Sequence, residues 1–149
     1  VGVVLMDRWD AEETLKLVAE HKITHTHVVP TMLHRMLALP EDVRNAHDVS
    51  SLRWVLHGAA PCPVHVKEDT IKWLGNVVFE YYAATEGGGI FVESEEWLSK
   101  PGTVGRALEG VIVEVQDDAG VEIPRGEIGT RSEERRGGKE GGDGGARGG

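Results

Sequence analysis

With 149 residues, 40% of them hydrophobic and 28% charged, the chain has the length of one ordinary globular domain and is short for an enzyme handling several substrates. A net charge of −9 repels phosphate backbones, which argues against nucleic acid as a partner but not against a nucleotide held by local loops and Mg2+. The one cysteine, Cys62, cannot form an internal disulfide and fits a reducing, cytoplasmic setting, and no apolar run approaches the ~20 residues of a membrane span.

Read in chain order, the opening Val1-Gly2-Val3-Val4-Leu5 has neither an initiator Met nor a basic leader, Val3-Val4-Leu5-Met6 predicts a buried strand entered mid-protein, and the amino end looks truncated. Asp10 then suits a helix N-cap with Glu13 as its reciprocal partner, and Leu15, Val18 and Ala19 carry helical spacing to about Lys22. A second strand over residues 26–29 stops at Pro30. Thr31 is the expected cap of a helix bearing Leu33, Met36 and Leu37 that ends before Pro40. Residues 52–56 read as a third strand and Gly58-Ala59-Ala60-Pro61-Cys62-Pro63 as a tight small-residue loop. Residues 64–74 read as a helix and residues 77–81 as a fourth strand. Strands alternating with helices predict an α/β fold, a mostly parallel sheet flanked by helices, with ligands at the carboxyl ends of the strands.

The pattern changes after Gly89. Residues 111–115 and 126–128 resemble strands of a small β-rich subdomain, with Asp117-Asp118-Ala119-Gly120 as a hairpin turn. The expected organisation is an α/β part over residues 1–110, a truncated β subdomain over 111–130 and a disordered Gly-rich tail over 131–149. The tail has no aromatic and no aliphatic side chain larger than alanine, so it cannot bury enough apolar area to offset its ordering entropy. Arg131-Ser132-Glu133-Glu134-Arg135-Arg136, followed by Gly138-Lys139-Glu140, also resembles the conceptual translation of a sequencing adapter, which would interrupt the natural protein near Thr130.

The chemically informative stretch is Glu80-Tyr81-Tyr82-Ala83-Ala84-Thr85-Glu86-Gly87-Gly88-Gly89, a predicted strand running into glycines. A tyrosine ring can stack on a purine, a threonine hydroxyl can bond a phosphate oxygen, a glutamate offers hard oxygens to Mg2+, and glycines let backbone approach a ligand. Tyr82-Ala83-Ala84-Thr85-Glu86 resembles the Tyr-Gly-x-Thr-Glu signature of the adenylate-forming superfamily, which includes acyl-CoA synthetases, firefly luciferase and peptide-synthetase adenylation domains. Trp54-Val55-Leu56-His57-Gly58-Ala59-Ala60-Pro61 is similar to that family's adenine loop, and Thr26-His27-Val28-Val29-Pro30-Thr31-Met32-Leu33 to the segment before it. Lys100-Pro101-Gly102-Thr103-Val104-Gly105-Arg106 and Pro124-Arg125-Gly126-Glu127-Ile128-Gly129 resemble two downstream motifs, so five elements in family order cover about residues 1–130.

The resemblance implies that Tyr82 packs on adenine, Thr85 holds the α-phosphate and Glu86 binds Mg2+. Gly58, Ala59, Ala60 and Pro61 would run along the purine. Tyr81 and Ala83, both at positions often occupied by glycine, would shape the nucleotide wall. Ala84 and the Gly87-Gly88-Gly89 loop would border the acyl pocket; His57, which ends a strand beside the adenine loop, is a candidate to line the acyl or nucleotide cavity, with a structural role as the alternative. The implied reaction joins a carboxylic acid, a fatty or related hydrophobic one, to CoA through an acyl-AMP made from ATP. The family's β,γ-phosphate loop does not occur. Its ribose-binding Asp, hinge and carboxy-terminal Lys would follow Thr130, so these 149 residues are expected to be inactive alone. Two rivals remain: an adenylation domain loading a carrier protein, and a non-catalytic nucleotide-binding relic. Oligomeric state is not legible.

Other chemistry-bearing residues have structural readings. His25 and His27 share a strand face without a third ligand, and Cys62 lies between prolines without a base. Glu93-Ser94-Glu95-Glu96 reads as a solvated acidic turn.

Overall fold

The computed structural model describes residues 2–84, 87–106, 111–124 and 127–135, which divide between two compact units, Val1–Arg106 and Ala107–Gly149. In the first unit, helix α1 spans Ala11–His21, and Asp10 caps it as expected, its Oδ1 accepting from the Glu13 N–H at 2.9 Å. Strand β1, His25–Val28, leads into helix α2, Pro30–Leu37. The helix begins at Pro30 rather than at a Thr31 cap, because proline at the first helical position has its φ preset and forfeits no bond. Helix α3, Glu41–Asn45, buries no side chain and so leaves no apolar stripe to read. Strand β2, Trp54–His57, is followed by helix α4, Val64–Leu74, which closes on Gly75 at φ 83. Strand β3 covers Val78–Ala84, β4 covers Gly87–Val92 and helix α5 covers Ser94–Ser99.

The sheet order is β1-β2-β3-β4, with the first three strands parallel and β4 antiparallel to β3. This is the mostly parallel, helix-flanked sheet that the sequence predicted. Its helix-packed face buries Val28, Val55, Val78 and Val92 against Leu15 of α1, Leu33 and Met36 of α2, Val66 and Ile71 of α4, and Trp97 of α5. Each such aliphatic side chain contributes about 1.5–3 kcal/mol by leaving water. The opposite face carries an aromatic row. The Trp54 and Phe79 rings lie 4.8 Å apart, and Tyr81 lies 5.5 Å from His27 and 6.5 Å from Phe91.

Three sequence readings are corrected here. Residues 2–6 form no strand: Val3 and Leu5 are exposed, and a strand needs a ladder partner that apolar composition alone does not supply. Gly87-Gly88-Gly89 is not a loop, since its backbone belongs to β4, with Ala83 opposite Gly89 and Ala84 opposite Gly87 across a register irregularity. The acidic turn at Glu93 is the start of α5, fastened by the Ser94 hydroxyl, which donates to the Val78 carbonyl at 2.6 Å, and by buried Trp97.

In the second unit, β5, Val111–Gln116, pairs antiparallel with β6, Thr130–Arg135. The Asp117 carboxylate accepts from the Ala119 and Val121 N–H groups, both at 2.9 Å, and so closes the turn expected there. Of the strand expected over 126–128, Glu127 and Ile128 lie outside any strand, and Gly126 is outside the described residues; the ladder forms from Thr130 instead. That ladder takes in Arg131–Arg135, which composition assigned to the tail, because a β ladder bonds backbone and does not require apolar side chains. Residues 136–149 lie outside the described residues.

Candidate functional site

The carboxyl end of β2 runs straight into the small-residue loop, and β3 beside it extends to Ala84. Here a cavity of about 240 Å3 opens between Ala59, Ala60 and Pro61 on one side and Glu80, Tyr81, Tyr82 and Ala83 on the other, with Val104 completing the wall. The two segments singled out in the sequence therefore meet at one end of one sheet.

Local chemistry explains the fit. A Cβ on Gly58 would stand 2.5–2.7 Å from the Tyr81 ring, so only glycine lets the loop leave β2 against that ring. Ala59 follows at φ 67, in the left-handed region that costs an L-residue on the order of 1 kcal/mol. Tyr81 is held by its hydroxyl, 3.2 Å from His27 Nε2. Tyr82 is 42% exposed, leaving part of its ring open beside the cavity. Val104 reaches the cavity because the turn at Gly105, φ 100, packs so closely that a Cβ there would meet the Phe91 carbonyl and Ile90 at 2.8 Å.

Not every predicted site residue is seen in this cavity. His57 does not line it; strand alternation turns its ring to the helix-packed face with Val55, where it is wholly buried. Thr85 and Glu86 lie outside the described residues, as do the side chains of Ala84, Gly87 and Gly88. His25 and His27 belong to the aromatic row, with ring centroids 6.1 Å from Trp54 and 5.5 Å from Tyr81 respectively.

The structure adds a cluster that sequence reading missed. Lys67 of α4, fully buried, donates to Glu80 Oε2 at 2.6 Å, and its Nζ lies 4.8 Å from the centre of the Trp97 ring. His57 Nε2 is 3.8 Å from the same carboxylate oxygen, too far for a hydrogen bond, and neither ring nitrogen has a partner among the described residues. Burial, reinforced by the Lys67 charge, pushes His57 down to about 3, so its ring is neutral. Burial also lowers Lys67, while the Glu80 carboxylate works to keep it charged. Burial raises the Cys62 thiol to about 11, which leaves it unreactive near neutrality. A signal for the cluster existed. Lys67 falls on the inward stripe of α4 with Ile71, and Glu80 alternates with Val78 on a buried strand.

A cavity at the carboxyl ends of parallel strands lies where open α/β sheets bind their ligands. The chain belongs to the AMP-binding enzyme family, whose model matches residues 1–130. It is 34% identical over 132 residues to a long-chain-fatty-acid–CoA ligase of Mycobacterium tuberculosis, covering 85% of this chain and 25% of that protein. It is 30% identical over 135 residues to 4-coumarate–CoA ligase 5 of Oryza sativa subsp. japonica, covering 86% of this chain and 25% of that protein. Its fold is similar to that of ATP-bound MatB from Rhodopseudomonas palustris, with a TM-score of 0.68, 28% identity and coverage of 88% of this chain and 25% of that one. The chain thus spans about a quarter of the length of these relatives. Among the described residues no helix is long and apolar enough to cross a membrane.

Proposed function

We propose that this chain supplies the adenine-side wall of an AMP-forming acid–thiol ligase. A carboxylate attacks the α-phosphorus of ATP to give acyl-AMP and pyrophosphate, and the CoA thiol then displaces AMP. The observation that carries this reading is the cavity between residues 59–61 and 80–83 at the carboxyl end of the parallel strands. At about 240 Å3 it is smaller than the roughly 300–1,000 Å3 of sites that enclose whole drug-sized ligands, which suits a base rather than an entire nucleotide.

In this reading Tyr82 stacks on the purine, which the strained turn at Ala59 holds from the other side. Gly58, Ala60 and Pro61 continue that edge, and Tyr81 and Ala83 bound the nucleotide wall. Thr85 bonds the α-phosphate. Glu86 supplies a carboxylate to Mg2+, an ion that commonly takes one or two carboxylates and completes its shell with water and phosphate oxygens. Ala84, Gly87 and Gly88 border the acyl group. The protein's part in the first step is positioning and charge stabilisation. The acid is fatty or a related hydrophobic acid, a choice supported by the identity to the fatty-acid ligase and tempered by the similar identity to the coumarate ligase. The setting is the cytoplasm, the acceptor is CoA, and these 149 residues catalyse nothing alone.

Glu86→Gln in the full-length enzyme removes an anionic ligand at nearly constant shape and should lower acid-dependent exchange of pyrophosphate into ATP about 100-fold or more, in line with the loss of one transition-state contact. Near-normal exchange would remove Glu86 from the site. Exchange catalysed by the 149-residue chain itself would overturn its assignment as an incomplete part.

A further inference from the structure

The buried pair between Lys67 and Glu80 joins the two halves of the cavity. Helix α4 begins directly after the loop that forms one wall, and Lys67 lies in its second turn. Glu80 belongs to the other wall and immediately precedes the two tyrosines. We propose that Lys67 and Glu80 are positioning residues for nucleotide binding: their ion pair is a strut that sets the gap into which the adenine slides, an inference that rests on the adenylating reading above.

Geometry favours a strut over incidental burial. The bond is short at 2.6 Å, and it spans 13 residues of chain between a helix and the strand beside it. Trp97 screens the ammonium from one direction with its ring face, and His57 fills the space beside the carboxylate without competing for it, since no hydrogen bond links them. The loop that leads into α4 has little slack, because Gly58 lies against the Tyr81 ring and Ala59 is held at positive φ. A shift of α4 relative to β3 therefore passes directly to the cavity width. A displacement of about 1 Å in such a site can cost up to about 100-fold in rate.

The pair is separable from stability. Replacing one partner of a buried ion pair strands the other charge, whereas replacing both with apolar residues of similar volume is often neutral or stabilising. The test is the full-length enzyme carrying Lys67→Met together with Glu80→Leu, measured for its thermal midpoint, AMP affinity, and KM and kcat for ATP. The strut predicts a midpoint near that of the unsubstituted enzyme, with AMP affinity and KM for ATP worsened about tenfold, equivalent to about 1.4 kcal/mol, and kcat reduced less. Unchanged nucleotide affinity in a stable double variant would show the pair to be structural only and overturn the inference. A second apolar pair, Lys67→Leu together with Glu80→Met, removes the same contact and answers the same question if the first double variant does not fold. A KM for ATP that stays unchanged in that pair, once stable, is equally fatal. Lys72→Met removes the exposed pair with Asp69 on the same helix and should leave both constants alone. An unsubstituted enzyme that binds no AMP or ATP would instead sink the adenylating reading itself, and the strut with it.

Discussion

The two faces of the four-stranded sheet solve different problems with the same alternating strands. On the helix-packed face, Val28, Val55, Val78 and Val92 are shut away from water, and into that row the chain inserts one charged pair and a neutral histidine. On the other face, Trp54 meets Phe79 and Tyr81 meets His27 and Phe91 at centroid distances of 4.8–6.5 Å, while Trp54 and Phe91 remain 41% and 46% exposed. The contrast teaches that cost follows burial rather than residue type. A charge on the packed face commits the structure, whereas an aromatic on the open face adds contact at little risk.

The sharpest way to break this contrast is Lys67→Met. It leaves the Glu80 carboxylate buried without its partner and should cost about 3–5 kcal/mol of unfolding free energy in urea. A loss below about 1 kcal/mol would mean that the packed face is wet. Next comes the pH dependence set by His57. Its folded value is about 3 against an ordinary 6.5, so the unfolded chain takes up the proton first. Its contribution is present above about pH 6.5 and declines as pH falls toward 3. Between about pH 7 and pH 5 it should remove about 2 kcal/mol, and His57→Gln should lose that much less over the same interval. Equal pH slopes for the two proteins would contradict a buried neutral ring. The smallest effect belongs to the open face. Trp54→Ala gives up a half-exposed ring and its Phe79 contact, and should cost about 1 kcal/mol in the same denaturation assay. A loss as large as that of Lys67→Met would show that the open face is buried after all.

Much of this was legible in the sequence wherever a local rule governs. The Asp10 cap, α4 from Val64 to Leu74 and the Asp117 turn follow from side-chain chemistry within a few residues, and the mostly parallel sheet from the alternation of strands with helices. The meeting of Gly58-Ala59-Ala60-Pro61 with Tyr81-Tyr82-Ala83 followed from a motif resemblance combined with strand direction. What escaped depends on pairing between elements. Residues 2–6 had strand composition but no ladder partner, while Gly87-Gly88-Gly89 had loop composition and found one in β3. Glu93-Ser94-Glu95-Glu96 read as a solvated turn because the burial of Ser94 and Trp97 depends on strands distant in sequence. His57 was read from its place beside the loop, and only the packing of the helices against its strand shows that its ring is wholly buried. Lys67 and Glu80 each sat at an inward position, and only their coincidence across two elements made burial of both tolerable.

The most direct test of the account is an amide NMR titration of this chain with AMP. The account predicts shifts concentrated at Gly58, Ala59, Ala60 and residues 80–83, with the amides of β1 and α1 unmoved. Shifts centred on the open aromatic face around Trp54 and His25, with the loop amides silent, would contradict it.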